Sequence, residues 1–175
     1  MNSQSCERID MVIVGAGFAG LYMAYKARKM GLKMRGFDRA SDVGGTWWWN
    51  RYPGARCDVE SLQYSYSWDA EIQQEWNWTE RFATQGEILQ YINHVADKHD
   101  LRREFTFETG VKAATYDSGG KFWSVTLDTG EVVESRFLIL ATGCLSAARI
   151  PELPGLGDFT GEIYHTGNWP QAGVS

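Results

Sequence analysis

Residues 11–20 read MVIVGAGFAG, a β-branched apolar run that breaks into glycine at 15, 17 and 20. A run of that length and type predicts a buried strand. The LYMAYKARKMG that follows places Leu21, Ala24, Tyr25 and Arg28 at helical spacing, and Gly31 supplies the stop. Residues 32–37 then read as a second strand closing on Asp38. Strand, glycine turn, helix and strand make one βαβ unit. Each glycine has its own task there: Gly15 permits the tight turn, Gly17 lets the backbone approach a pyrophosphate, and Gly20 brings helix against sheet. The helix N-terminus faces the negative charge. A carboxylate at Asp38 accepts hydrogen bonds from adenosine ribose hydroxyls and repels a ribose 2′-phosphate. The expected ligand of this first site is therefore FAD or NAD rather than NADP.

Beyond this unit the pattern changes twice. Residues 41–66, SDVGGTWWWNRYPGARCDVESLQYSY, show no clear period. A connection that long is functional or disordered, and its aromatic content argues against disorder. Thr84 stands three residues before Glu87, a capping-box pattern, and opens a helix carrying Ile88, Leu89, Ile92, Val95 and Ala96 that runs to about residue 99. From residue 104 the period becomes two. FTFET, VKAATYD, FWSVTLD and EVVESRFLILATG, separated by Gly110, Gly119-Gly120 and Gly130, predict a β-meander. The nearly continuous apolar run 137–141 predicts a return to the parallel sheet. Pro151, Pro154, Gly155 and Gly157 mark a linker, so the expected division is an FAD-binding unit over 1–150 and a linker over 151–175.

Composition narrows the function further. Among 175 residues there are 17 basic and 22 acidic, a net charge of -5 with no basic stripe, which argues against nucleic-acid binding. Three scattered cysteines, Cys6, Cys57 and Cys144, form neither a metal pattern nor a disulfide framework and suit a reducing cytoplasm. The apolar stretch 11–25 is too short to span a membrane and is interrupted by glycine. The 19 Gly and 8 Trp are the unusual counts, and glycine at that level without a collagen-like period means many tight turns or close backbone approaches to a ligand.

Three further motifs carry a family resemblance. Ala141-Thr142-Gly143 follows the last predicted strand, residues 44–58 read GGTWWWNRYPGARCD, and residues 159–170 read FTGEIYHTGNWP. The last fits FxGxxxHxxxWP at every fixed position. Together they resemble the Baeyer–Villiger flavin monooxygenases, especially the phenylacetone and steroid monooxygenase branch, over nearly the entire chain. The resemblance implies an α/β, Rossmann-like FAD-binding domain of a two-dinucleotide-binding flavoprotein, incomplete here. It implies FAD and NADPH as cofactors, and insertion of one O2 oxygen beside a ketone carbonyl, through a C4a-peroxyflavin, to give an ester or lactone. It places Gly45, Thr46, Trp47, Trp48, Trp49, Tyr64 and Val111 around the flavin, and Arg56 and Cys57 where the nicotinamide cofactor approaches. Asp58 becomes the catalytic acid beside the flavin, charging an arginine from the second nucleotide domain. Arg56 and Asp58, opposite charges two positions apart in an otherwise apolar loop, are themselves read as site residues.

Two departures from the family pattern are modest. Asp38 replaces a longer Glu, and Ala19 stands where some relatives carry a hydroxyl beside the pyrophosphate. His165 is read as fixing the backbone of an interdomain joint rather than as a base, and His94 and His99 as helix-surface residues without partners. No second GxGxxG lies within the 175 residues, so the expectation is an N-terminal portion whose NADP and substrate regions lie elsewhere in the same protein. N- or S-oxidation by a related flavin monooxygenase, and a non-catalytic FAD-binding remnant, are the alternative readings.

Overall fold

The computed structural model describes residues 8–174. Strand β1 (Arg8–Val14) feeds helix α1 (Phe18–Lys29), which returns through β2 (Met34–Phe37). Gly31, at φ 68°, makes the reversal after α1 in a region that only glycine enters cheaply. Short helices α2 (Thr46–Trp49) and α3 (Ala70–Glu75) precede the longer α4 (Gln85–Lys98). As expected, β4 (Val111–Asp117), β5 (Phe122–Leu127) and β6 (Val132–Leu140) form an antiparallel meander. The remaining strand, β3, is the dipeptide Phe105–Thr106.

Sheet order is β3-β2-β1-β6-β5-β4. β6 joins two regimes. Its first residues pair antiparallel with β5, and residues from Glu134 to Leu140 run parallel to β1. The return of the apolar run to the parallel sheet is thus as expected. The FTFET segment is different: its β3 pairs parallel with β2 at the opposite edge and takes no part in the meander. Two alternating residues cannot distinguish the two pairings. The choice is made by Phe105, whose ring lies where a Cβ on Gly36 would sit, 2.3 Å from that position.

Each face of the sheet covers a core. Met11 and Ile13 pack with Leu21, Ala24 and Ala27 of α1 and with Ile88, Ile92 and Val95 of α4. On the other face Val12 and Phe37 meet Val125, Leu127 and Val133 of the meander. Burying one such aliphatic side chain is worth about 1.5–3 kcal/mol, so α1 and α4 are held by their apolar faces more than by helix propensity.

Aromatic residues close the gap between the helices. Tyr66 donates its hydroxyl to the Phe18 carbonyl at 2.6 Å, and its amide donates to the Tyr91 hydroxyl at 2.8 Å. Burial pushes both phenols above the usual tyrosine range. The reading of His94 and His99 as partnerless is corrected here. His99 Nε2 lies 2.6 Å from Asp69 Oδ2 with the rings of Tyr25 and Trp68 beside it, and His94 Nε2 lies 3.2 Å from Glu75. Their partners come from α3 and its cap, within a stretch that carries no periodic signal. The expected capping box is half formed: Thr84 Oγ1 accepts from the Glu87 amide, while the Glu87 carboxylate turns to Thr79.

Candidate functional site

The glycine loop is shaped by contacts that exclude any side chain. A Cβ on Gly20 would lie 1.8 Å from the Gly15 carbonyl oxygen, and one on Gly15, already at φ 105°, would lie 2.5 Å from the Ala141 carbonyl oxygen. Gly17 faces Gly45, where a Cβ would come within 3.3 Å of the Gly45 Cα. Gly17 is also the N-cap of α1. No side chain caps that end, no acidic residue occupies its first turn, and Lys26, Arg28 and Lys29 stand in its last turn. The orphan amides and the dipole are both left for an anion.

Beside this loop opens a cleft of about 580 Å³. Of the residues singled out from the sequence, Gly15, Gly17, Ala19, Asp38, Gly45, Thr46, Trp47, Trp49, Tyr64 and Val111 line it. Gly20 lies behind the loop as a packing residue. Asp38 is more constrained than its sequence position suggests: Oδ2 accepts from the Ala16 amide at 2.6 Å and Oδ1 from the Ala40 amide at 2.8 Å. The carboxylate therefore fixes the glycine loop while each oxygen keeps a lone pair for a ligand.

On the opposite wall Trp47 is 6% exposed and donates its indole N–H to the Tyr64 hydroxyl at 3.1 Å. Phe18 meets the Tyr64 ring edge-on, with centroids 5.0 Å apart. Burial raises the Tyr64 phenol above the usual tyrosine range; the Trp47 hydrogen bond opposes this, and the charges of Cys57, Asp58 and Cys144 add to it.

Besides Gly20, four of the expected residues stand off the cleft wall. The guanidinium of Arg51 lies 4.9 Å from the centre of the Trp48 ring and bonds the Trp48 carbonyl. Arg56 bonds Glu80 at 2.5 Å and the Phe82 carbonyl, and its backbone bridges Thr84. Cys57 is buried, with its sulfur accepting from the Val59 amide. Asp58 is exposed and reaches the cleft only through its field at Tyr64.

Conversely, Arg39, Asn50, Thr109, Gly110, Cys144 and Ser146 line the cleft without having been singled out. Their signal was adjacency, since Arg39 follows Asp38, Gly110 precedes Val111, and Cys144 follows the ATG triplet. Arg39 donates to the Ser146 carbonyl at 3.2 Å, which ties the segment after β6 to the end of β2.

The Phe159–Pro170 motif forms a turn of its own. His165 Nδ1 accepts from the Gly167 amide at 3.0 Å, a backbone-fixing bond of the expected kind. Gly161 leaves room for the Phe159 ring, and Tyr164 and Trp169 pair at 5.6 Å.

Residues 13–75 match the family described as NAD(P)-binding Rossmann-like domain. A Baeyer–Villiger monooxygenase of Pseudooceanicola batsensis is 51% identical over 163 residues, covering 93% of this chain. This chain is a relative of the Baeyer–Villiger monooxygenases. It spans about 30% of the length of that relative. The crystal structure of OTEMO in complex with FAD and NADP is similar in fold, with a TM-score of 0.86 and 48% identity over 93% of this chain and 30% of that one. A phenazine N-monooxygenase of Lysobacter antibioticus is also similar, at 47% identity over 92% of this chain and 30% of its own length. The fold is thus Rossmann-like α/β, with a meander inserted before its last parallel strand. Among the described residues no helix is long and apolar enough to cross a membrane, and no cluster of three or more candidate ligands suggests a metal.

Proposed function

We propose that this chain forms the FAD-binding portion of a Baeyer–Villiger monooxygenase. The observation that carries this reading is the cleft of about 580 Å³ along an uncapped helix N-terminus, with Asp38 at one wall and Trp47 and Tyr64 at the other. The residues fit the cofactor. The α1 amides, with Gly15, Gly17 and Ala19, suit a pyrophosphate, and Asp38 keeps acceptor capacity for a ribose. Gly45, Thr46, Trp47, Trp49, Tyr64 and Val111 offer backbone and ring surfaces to a flat group. Trp48, Arg56, Cys57 and Asp58 support the same region from behind, with Asp58 as the acid of the active site. FAD supplies the oxidative chemistry, while the chain binds, orients and shields it from water.

NADPH as reductant, O2 as oxidant and a ketone as substrate belong to this reading of the whole protein. The nicotinamide and ketone sites are assigned to the length that such relatives have beyond the matched third. Residues 151–175 serve as the linker leading there, and the cytoplasm is the compartment that this chemistry and the unpaired cysteines suit. Oxidation of nitrogen is the second reading, favoured by the similarity to the phenazine N-monooxygenase.

Titrating the purified chain with FAD, followed by quenching of flavin fluorescence, tests the first step. Saturable binding is expected, and its absence removes the cofactor reading. Incubating the intact protein with NADPH and a panel of ketones and heteroaromatic amines separates the two activities. Ester or lactone products are expected, whereas N-oxides alone replace the first reading with the second.

A further inference from the structure

We propose that Arg39 is a clasp: it pins the segment after β6 across the Asp38 end of the cleft, and bound cofactor leaves only when that bond opens. The part of the inference that concerns the cofactor rests on the FAD reading. In the sheet β1 lies between β2 and β6. Arg39 follows the end of β2, and Ser146 lies on the segment that leaves β6, so their bond joins the two strands that flank β1 at the end where the glycine loop begins. The Ala141 amide still belongs to the sheet, donating to the Val14 carbonyl at 2.9 Å. Gly143 then turns the chain at φ 70°, with open space where a Cβ would stand, which makes it a natural hinge. Among the described residues the next hydrogen bond along the chain is the one from Arg39 to the Ser146 carbonyl, at 3.2 Å. Residues 142–146 line the cleft and are exposed to solvent as well, which is the disposition of a strap. Past the clasp, a Cβ on Gly167 would lie 3.3 Å from the Ala148 Cβ, so the turn that His165 caps rests on the same strap.

The guanidinium is aimed by what lies under its stem. A Cβ on Gly110 would meet Arg39 Cγ at 3.1 Å and Cδ at 3.3 Å, so the stem runs along the Gly110 backbone. That backbone is held from behind. The Gly110 amide donates to Asp128 Oδ2 at 2.8 Å, its carbonyl accepts from the Asp128 amide at 2.9 Å, and the Thr109 amide donates to the Asp38 carbonyl at 2.9 Å. A fixed floor and an always-charged head leave one element free to move, the strap. One exposed hydrogen bond is strong enough to favour the closed strap and weak enough to open without unfolding the domain. A ligand beneath the strap departs through the open form, so the population of that form sets its rate of release.

The test uses the full chain as wild type, Arg39→Met and Arg39→Lys. Arg39→Met keeps an apolar stem on Gly110 and removes the donors, while Arg39→Lys keeps the charge and loses the planar fork. Limited trypsin digestion of the cofactor-free chain reads the strap directly, by the rate of cleavage after Arg149, which is exposed just beyond Ser146. Recovery of flavin fluorescence after dilution of the FAD-loaded chain reads release. In Arg39→Met both rates are expected to rise about two- to tenfold, the worth of one ordinary hydrogen bond, with a melting temperature near wild type. Arg39→Lys should fall between the two. Faster release with unchanged cleavage of the cofactor-free chain would mean that Arg39 acts on the cofactor itself, and overturns the clasp. Faster cleavage with unchanged release shows a strap that is pinned without retaining the cofactor, and overturns its control of release. If neither rate changes, the whole proposal falls. Failure of wild type to bind FAD removes the cofactor reading and the control of release with it, while the cleavage comparison still decides whether Arg39 pins the strap.

Discussion

The two walls of the cleft are built from different materials. One is backbone: Gly15, Gly17 and the first turn of α1, with a single carboxylate, Asp38, tied into the loop by two amides. The other is side chain: Trp47 and Tyr64, joined by one hydrogen bond and packed against Phe18. The backbone wall tolerates nothing added, because its atoms already touch. The aromatic wall tolerates nothing removed, because its shape is made of ring volume. Substitutions should therefore fail in opposite directions on the two sides.

Adding one methyl group at Gly20 is expected to have the largest effect. The new Cβ meets the Gly15 carbonyl oxygen at 1.8 Å, backbone against backbone, with no side chain able to swing aside. A loss of about 5 kcal/mol is expected for Gly20→Ala, against the roughly 5–15 kcal/mol that holds an ordinary domain folded. A melting temperature near wild type would show that helix and loop can separate and would end the distinction between the walls.

Removing volume should hurt only on the other side, and unequally. Trp47→Ala leaves a cavity beneath Tyr64 and should cost about 3–5 kcal/mol. Trp48→Ala, which loses mainly a contact with Arg51, should cost about 1 kcal/mol. Urea midpoints for the pair sharpen the comparison, and equal losses would mean that the neighbouring tryptophans do the same work.

Asp38→Asn tests the one side chain of the backbone wall. The amide retains an oxygen for one of the two backbone donors and turns its NH2 toward the other. A loss of about 1–2 kcal/mol in stability is expected, together with about tenfold weaker FAD binding. If affinity falls with no change in stability, the tie to the Ala16 amide carries nothing.

The smallest effect lies away from the cleft, where Asp69 caps α3 and faces His99. Desolvation would raise the Asp69 carboxyl, but the Ile72 amide, His99 and the Glu71 amide outweigh it and hold the group below the usual carboxylate range. Its folded value is thus lower than its unfolded one, so it contributes stability above the unfolded value and loses it as pH falls through the folded one. Asp69→Ala should cost about 1 kcal/mol at neutral pH and flatten the acid side of the stability curve. An unchanged acid limb would assign acid sensitivity to other carboxylates.

How much of this was legible depends on the reach of the interaction concerned. Gly15, Gly17 and Gly20 were readable because a turn and a helix start are local events, settled within a few residues. The meander was readable from its period. Phe105 was not: it belongs to β3 through a contact with Gly36, far away in the chain. The pairs His99–Asp69 and Arg56–Glu80 escaped for the same reason, since a partner from an aperiodic stretch leaves no mark near the residue it meets. Asp58 shows the limit from the other side. The family resemblance gives it a role at the flavin, and the structure leaves it exposed, off the cleft wall, with its charge felt at Tyr64.

The sequence by itself determined the βαβ unit, its glycine loop, the acidic end of β2 and the kinship of the three motifs, because those are matters of local backbone conformation and fixed spacing. Tertiary structure decided which tryptophan becomes cleft wall and which becomes support, and it turned Asp38 inward onto the Ala16 amide. It also seated Arg39, Thr109 and Cys144 at the same cleft. Those outcomes depend on which surfaces meet when β1, β6 and the helices pack, and no short stretch of chain contains both sides of such a contact.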